Sequence, residues 1–427
     1  MPKFIHAADL HLDSPLKGLA KYEGAPEEKL RLATREALKN LVKLAHEEKV
    51  DFVIIAGDIY DGDWKDYNTG LFFAAQMSRL RIPVVVISGN HDAESQITKS
   101  LSLPDNVTRL SAKKPETFFL NDFGVAIHGQ SFPTRAVDYD MSAHYPQAGR
   151  NVFNIGVLHT LAEGQEGHEP YAPCTLAGLC SKGYDYWALG HVHTRALLLK
   201  EDPMILFPGN IQGRHARETG NKGCSIVSYE GQKIVEFEHY DLDVVRWSML
   251  RVDAAAATNE DDVLGLVRAA IRTELKGLQE LQKGGDKLLA ARFEISGASK
   301  AHPHLMAHAE QFVNEVRQTA TDVGAGQVWV EKVKLLTTAH GDFQKLLAEN
   351  TPLGIMLRSL SSSDYDQTLE QLLRDDFAAL QEKLPSELTS GSDKLDLRDP
   401  EQLRSVFADA RELLIPRLQA ACAGANS

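Results

Sequence analysis

Cysteine is scarce in this chain, and the spacings that usually give cysteine a structural role are missing. The 427 residues include 4 cysteines, at positions 174, 180, 224 and 422, and no two of them form a CxxC pair. We therefore expect neither a zinc ribbon nor a disulfide framework, and a reducing compartment fits this usage best.

Long apolar runs are also lacking. No uninterrupted apolar stretch is long enough to cross a bilayer, and the first residues, Met1 to His6, lead into a strand pattern without the apolar core of a signal peptide. These absences predict a soluble cytoplasmic protein with no membrane partner. With 43% hydrophobic and 25% charged residues, the chain can form two or three folded domains.

An excess of positive charge is the third absence. The formal net charge is −13, divided as −5 for residues 1–240 and −8 for the rest. No region has the surplus of lysine and arginine that is typical of nucleic-acid-binding surfaces. If the substrate is a polyanion, bound cations or a second subunit must supply much of the attraction.

The first 110 residues alternate short β-branched strands with amphipathic helices. Strands are predicted at 4–7, 52–56 and 83–88, and helices at 26–48 and 70–80. Short connections between such elements predict a parallel βαβ sheet. From residue 118 to 240 the strands are shorter, at 125–127, 153–158, 186–189, 205–207, 225–229 and 234–237. Two facing sheets with helices outside, an α/β four-layer αββα sandwich over residues 1–240, would accommodate them all.

Two further regions are predicted beyond residue 240. Residues 241–337 read as a small α+β domain, with strands at 244–252, 289–295 and 327–335 and helices from 258 and over 303–319. Residues 338–427 read as helical throughout. This tail has two apolar stripes: Leu369, Leu372, Phe377, Leu380 and Leu384, and Leu403, Phe407, Leu414 and Leu418. Such stripes pack either within the chain or against a partner protein.

Polar side chains follow five of the predicted strands. They are Asp9 and His11, then Asp58, then Asn90 and His91 within Gly89–Asp92, then His159, and finally His191 and His193. Ligands of open α/β sheets bind at the carboxyl ends of strands. Residues i and i+2 of an extended segment point to one side, so Asp9 with His11, and His191 with His193, are each expected to face one centre.

These residue types together predict a metal centre. A single histidine after a strand is more often structural, but five strand ends of this kind are an improbable coincidence. Carboxylate, amide and imidazole donors without thiolate suit manganese, iron or zinc. With His91 left over, the other seven donors exceed what one ion takes from protein, so we expect two ions bridged by Asp58 and the hydrolysis of a phosphate ester.

Five sequence blocks resemble the signature of the calcineurin-like metallophosphoesterases. They are Asp9-Leu10-His11, Gly57-Asp58, Gly89-Asn90-His91-Asp92, His159 and Gly190-His191-Val192-His193. Within that superfamily, residues 183–191 resemble the SbcD/YhaO-type DNA repair exonucleases, and residues 208–215 with 218–220 are similar to the YhaO branch. The resemblance covers residues 1 to about 240 well, a capping domain at 241–337 by pattern alone, and the tail hardly at all.

The resemblance implies a role for each site residue. Asp9, His11, Asp58 and His193 would hold one ion, and Asp58, Asn90, His159 and His191 the other. His91 would stay off the metal and either protonate the leaving oxygen or stabilise the pentacovalent phosphorus, with Asp92 orienting its ring. Arg214 is a candidate phosphate clamp, and a surface salt bridge is the equally supported alternative.

The same resemblance implies partners and a reaction. The expected reaction is exonuclease or endonuclease hydrolysis of DNA in repair or end processing, with two manganese ions as the cofactors. An SMC-type ATPase is the expected partner at the helical tail, with a homodimer as a further expectation. The first alternative is a phosphodiesterase for a small nucleotide, which the acidic charge favours. The second is a structural subunit whose site has lost activity, against which the intact ligand set argues.

Overall fold

A computed structural model describes most of the chain. The described residues are 1–14, 24–61, 67–94, 102–163, 171–281, 287–339, 348, 350–362, 367–381, 396–397, 399–407, 410 and 414. Contacts divide the chain into two units. Unit 1 is Met1–Met249, Leu278–Ala291 and Gln327–Glu331, and unit 2 is Leu250–Gly277, Arg292–Gly326 and Lys332–Ser427.

The described strands and helices alternate through most of the chain. The strands are β1 Lys3–Ala7, β2 Phe52–Ala56, β3 Val84–Ile87, β4 Val107–Arg109, β5 Glu116–Leu120, β6 Val125–Gly129, β7 Phe153–His159, β8 Tyr186–Gly190, β9 Ala196–Leu199, β10 Met204–Phe207, β11 Gly223–Glu230, β12 Lys233–Asp241, β13 Val245–Asp253, β14 Leu288–Ser299 and β15 Val328–Ala339. The helices are α1 Glu27–Glu47, α2 Tyr67–Leu80, α3 Asn90–Glu94, α4 Leu176–Cys180, α5 Glu260–Leu281, α6 His302–Ala307, α7 Ala309–Gly324, α8 Pro352–Ser362 and α9 Gln367–Gln381.

Unit 1 contains two six-stranded sheets. The first has the order β12-β11-β1-β2-β3-β4, with β1 to β4 parallel and β11 antiparallel to β1. The second has the order β5-β6-β7-β8-β10-β9, in which β6, β7, β8 and β10 are parallel. Because neighbouring parallel strands end at the same edge, the segments after β1, β2 and β3 come together, and so do those after β7 and β8.

Apolar side chains between the sheets form the centre of the sandwich. Phe4, Ile54 and Val85 from the first sheet pack in one cluster with Ile127 and Val157 from the second. A second cluster joins the outer face of the first sheet to α1 and α2, and a third covers the outer face of the second sheet with α4 and its loops. The predicted α/β sandwich of two facing sheets is confirmed.

Three details differ from the elements expected from sequence. The helix α2 begins at Tyr67 rather than near residue 70, and the helix expected at 303–319 is two helices, α6 and α7. The strands β4, β5 and β9 were missed. They lie at the edges of the two sheets and are only partly buried, so their own residue patterns are less distinct than those of central strands of similar length.

Unit 2 combines parts of β13, β14 and β15 with helices. The three strands form one sheet in the order β13-β14-β15. Within this unit α5 buries Val263 and Val267, and α7 buries Phe312 and Val316, which is the pattern of helices that cover one face of a sheet.

Most described residues of the C-terminal region are helical, in α8, α9 and residues 400–407. Of the predicted apolar stripes, Leu403 is buried, whereas Leu372 is 58% exposed and Leu380 is 50% exposed. Leu384 and Leu418 lie outside the described residues. Across the described ranges, no helix has the length and apolar character that a membrane span needs.

Candidate metal centre

Every predicted donor in this centre lies at or just beyond the end of a strand. Asp9 and His11 follow β1, Asp58 follows β2, and Asn90 begins α3 after β3. His159 is the last residue of β7, and His191 and His193 follow β8. All of them except His193 are buried, so a polar cluster occupies the edge of an otherwise apolar sandwich. Burying such groups is costly unless they bind each other or a ligand.

Positive φ angles at four of the donor residues set the directions of their side chains. Asp9, His11 and Asp58 have φ of 53°, 42° and 52°, and His191 has φ of 101°. Asp9 and His11 were predicted to share a centre because an extended segment alternates its side chains, and that reason is wrong. Both residues come together in sharp turns that non-glycine residues seldom adopt, a conformation typical of functional sites.

Two glycines allow the strand ends to approach closely. A Cβ on Gly89 would lie 2.2 Å from Oδ1 of Asp58, and a Cβ on Gly190 would lie 1.9 Å from the carbonyl oxygen of Ala56. Any side chain at these two positions would push the strand ends apart.

Asp9, His11 and His193 form the first donor group, with ligand atoms within 4.8 Å of one another. The His11 ring donates its Nδ1 proton to Asp61 at 2.7 Å, and the His193 ring donates its Nδ1 proton to Glu218 at 2.6 Å. Each Nε2 is therefore an unprotonated acceptor, and the two Nε2 atoms face each other at 3.1 Å. Burial lowers the pKa of both rings, which favours the neutral form.

Asp9, Asp58 and His159 form the second group. His159 donates from Nδ1 to the carbonyl oxygen of Ala56 at 3.0 Å, so its Nε2 faces Oδ1 of Asn90 at 3.0 Å and Oδ2 of Asp58 at 3.4 Å. Burial disfavours a charged His159, but the Asp58 carboxylate outweighs burial and raises the pKa of this ring to about 9. The site therefore attracts positive charge.

Asp58 belongs to the second group and also approaches His11 of the first group. Its Oδ2 is 3.4 Å from Nε2 of His159 and 3.7 Å from Nε2 of His11, which fits the predicted bridging position. The His191 ring lies beside His159, with ring centroids 5.2 Å apart, and the backbone N–H of His191 donates to Asp9. Whether His191 and His193 bind one ion or two different ions stays a prediction.

The arrangement fits divalent cations. The unprotonated Nε2 atoms of His11 and His193 face each other at 3.1 Å, and Nε2 of His11 is 3.7 Å from Oδ2 of Asp58. Contacts between acceptors repel unless a proton or a metal ion lies between them. Nitrogen and oxygen donors without thiolate suit first-row divalent ions. The assignment of each donor to an ion stays a prediction.

His91 lies at the exposed side of the centre, and its side chain is 38% exposed. Its Nδ1 is 3.3 Å from Oδ1 of Asp61, the carboxylate that also accepts from His11. Asp92, predicted to orient His91, instead accepts from the backbone N–H groups of Ile59, Tyr60 and Gly89. The carboxylate beside the His91 ring is thus Asp61, whereas the hydrogen bonds of Asp92 go to backbone groups and give no support to its predicted orienting role.

Arg214 lies beside the centre, and its side chain is 16% exposed. Its Nη1 is 3.6 Å from Oδ2 of Asp61, and its Nη2 is 3.3 Å from Oε1 of Glu218. This is a partly buried ion-pair network rather than a surface salt bridge. The guanidinium is thus positioned within the network, and its role as a phosphate clamp stays a prediction.

Sequence reasoning missed two residues of the centre. Asp61 and Glu218 receive the Nδ1 protons of His11 and His193. The only signals were the position of Asp61 three residues after Asp58 and that of Glu218 in the block with Arg214. Neither signal assigns a hydrogen-bond partner.

Comparison with known proteins agrees with this geometry. Residues 2–195 match the family model "Calcineurin-like phosphoesterase", and residues 247–338 match the model "Metallophosphoesterase YhaO, middle domain". In its two-sheet fold, its donor cluster and the sequence of residues 2–195, the chain is thus similar to the calcineurin-like phosphoesterases.

A curated relative is the "Uncharacterized metallophosphoesterase YhaO" of Bacillus subtilis (strain 168). It is 38% identical over 262 residues, which are 60% of this chain and 64% of the relative. The match thus spans somewhat less than two thirds of that protein.

Two solved structures are also similar. TT1561 of Thermus thermophilus has a TM-score of 0.35 at 11% identity, covering 56% of this chain and 99% of its own. GAP50, described as the anchor in the inner membrane complex of Plasmodium, has a TM-score of 0.33 at 11% identity, covering 56% and 88%. Similarity at these scores carries no weight for function.

Proposed function

We propose that this protein hydrolyses phosphodiester bonds in DNA with two divalent metal ions, with manganese as the expected ion. The observation that carries this proposal is the pair of adjacent donor groups at the strand ends, which have Asp9 in common and in which Asp58 lies within 3.7 Å of an imidazole of each. Asp9, His11, Asp58 and His193 would hold one ion, and Asp58, Asn90, His159 and His191 the other. When bound, the two ions would polarise the phosphate ester and activate a water for attack.

The protein's own residues would orient the substrate and move one proton. Asp61, whose Oδ1 is 3.3 Å from Nδ1 of His91, would hold the protonated ring by one N–H, and the second N–H, at Nε2, would deliver its proton to the leaving oxygen. Asp58 accepts from the backbone N–H of His91 at 3.0 Å and so joins this residue to the donor groups. Arg214, held beside Asp61, offers a guanidinium for a phosphate oxygen.

DNA as substrate and an SMC-type ATPase as partner are part of the same proposal. Their support is the resemblance of residues 183–191 and 208–220 to the DNA repair exonucleases. Exposed apolar side chains on α8 and α9, among them Ile355, Met356 and Leu372, suit a partner at the helical region. A cytoplasmic location and a homodimer also remain predictions.

A phosphodiesterase acting on a small nucleotide is the second candidate. The observation that favours it is the net charge of −13, which opposes a long polyanion.

Digestion of linear duplex DNA in manganese buffer tests the proposal. We expect cleavage by the purified protein, alone or with the ATPase, and a loss of about 10²- to 10⁴-fold in the His91→Ala variant with its metal content retained. His46→Ala, at an exposed position of α1, is the matched control and should cleave normally. Rapid cleavage of a cyclic dinucleotide together with intact DNA would establish the second candidate instead.

Metal analysis of Asp58→Ala tests the centre separately. Because this carboxylate lies within 3.7 Å of imidazoles in both groups, we expect the variant to lose most of its bound metal. Undiminished metal content would contradict the bridging role, whatever the substrate.

A further inference from the structure

Glu218 accepts hydrogen bonds at both of its carboxylate oxygens. Oε1 accepts from Nδ1 of His193 at 2.6 Å. Oε2 accepts from Nδ2 of Asn210 at 3.0 Å and from the backbone N–H of Arg214 at 2.7 Å. The side chain is buried in the loop between β10 and β11, so one carboxylate joins the donor group to that loop.

We propose that Glu218 is a positioning residue for His193. By accepting the Nδ1 proton it holds the tautomer in which Nε2 is unprotonated, and it fixes the ring so that this nitrogen faces His11 and Asp9. A carboxylate that holds a metal-binding imidazole in this way usually sets its orientation and basicity. The inference rests on the proposed metal centre, and it does not depend on the identity of the substrate.

An amide in place of this carboxylate could not make the same bonds. If its nitrogen replaced Oε1, His193 would have to accept at Nδ1, and its proton would move to Nε2. If its nitrogen replaced Oε2, it would face the donors of Asn210 and Arg214. Only a group that accepts at both ends satisfies these three donors and Nη2 of Arg214, which also donates to Oε1 at 3.3 Å.

The opposite side of the donor group has the same construction. Asp61 accepts from Nδ1 of His11, and Arg214 lies between the two carboxylates, at 3.6 Å from Asp61 and 3.3 Å from Glu218. The guanidinium offsets the repulsion between two negative groups that must both remain ionised, and it helps to hold the pKa of each well below its usual range. Through its ion pairs with these two carboxylates, Arg214 thus helps to hold the rings of His11 and His193, which face each other.

The tautomer of His193 can be measured directly. In metal-free protein labelled with ¹⁵N-histidine, long-range ¹H–¹⁵N spectra distinguish the two neutral tautomers, and His193→Gln assigns the signal. We expect the Nδ1–H form in the wild-type protein and its loss in Glu218→Ala. An Nε2–H form in the wild-type protein would overturn the proposal without any variant.

Manganese binding, measured by calorimetry, gives the second readout. We expect Glu218→Ala to bind manganese about 10- to 100-fold more weakly. Glu116→Ala is the matched control. Glu116 is the first residue of β5 and accepts from the backbone N–H of Ser111 at 2.9 Å, so this variant should bind manganese normally.

Asn210→Ala separates positioning from simple anchoring of the loop. It removes one donor to Oε2 and leaves the bond to His193, so we expect the tautomer to persist and the affinity to stay within about threefold. An equal loss of affinity in Asn210→Ala with the tautomer retained, or wild-type affinity in Glu218→Ala, would overturn the proposal. Neither readout uses DNA cleavage, so failure of the nuclease assignment would be recognised separately.

Discussion

The Nε2 atoms of His11 and His193 lie 3.1 Å apart, and each ring carries its proton on the opposite nitrogen. Two acceptors at this distance repel each other unless a cation is shared between them. Part of the stability of the folded protein should therefore depend on bound metal.

Manganese should raise the melting temperature. A ligand that binds only the folded state stabilises it by about 2.7 kcal/mol at one hundred times its dissociation constant. Calorimetry with increasing manganese, and again after chelation, measures this shift, and His193→Ala should remove most of it. Equal melting temperatures with and without metal would refute the fit between this donor set and a cation.

Asp92→Asn should lower stability rather than selectively impair catalysis. The buried carboxylate accepts three backbone N–H groups, from Ile59, Tyr60 and Gly89, and an amide nitrogen would confront at least one of these donors. We expect a loss of about 1 to 3 kcal/mol in urea unfolding. The exposed Asp105→Asn is the control. Unchanged stability with reduced cleavage would support the prediction that Asp92 acts through His91.

Arg214→Met tests the predicted phosphate clamp. If the guanidinium binds a phosphate oxygen, its removal should raise KM about tenfold or more in steady-state assays on the cleaved substrate. Arg217→Met, at an exposed position of the same loop, should leave KM unchanged. A normal KM combined with weaker manganese binding would restrict Arg214 to its contacts with Asp61 and Glu218.

Gly190→Ala should disrupt the junction of the two sheets. The added Cβ would lie 1.9 Å from the carbonyl oxygen of Ala56, a backbone atom that cannot turn aside. We expect a loss of about 1 to 3 kcal/mol or more in chemical unfolding. Gly265→Ala in α5 meets nothing within 4 Å and should be neutral or stabilising by up to about 1 kcal/mol. Similar effects of both substitutions would contradict this reading of the close approach.

The layered fold was accessible from sequence because its strongest elements are locally encoded. Buried runs such as Phe52–Ala56 and Val84–Ile87 are continuous in β-branched or apolar residues and are separated by amphipathic helices. Short edge strands such as Val107–Arg109 escaped prediction because pairing with a neighbour, rather than their own pattern, makes them strands.

The donor residues could also be identified from the sequence, but the groups that they face could not. Polar residues after β1, β2, β3, β7 and β8 stand out against the apolar runs before them, so the sequence by itself determined which side chains reach the sheet edge. Only the tertiary structure decided which imidazole faces which, because positive φ values at Asp9 and His11 redirect side chains that an extended chain would place otherwise.

The carboxylates that set the histidine tautomers were likewise identified only by the tertiary structure. Asp61 lies 50 residues from His11, and Glu218 lies 25 residues from His193, distances over which no local periodicity connects two side chains. Likewise, only folding brings the backbone N–H groups of Ile59 and Tyr60 to Asp92. Chemistry that depends on residue type was in the sequence, and chemistry that depends on a hydrogen-bond partner was decided by packing.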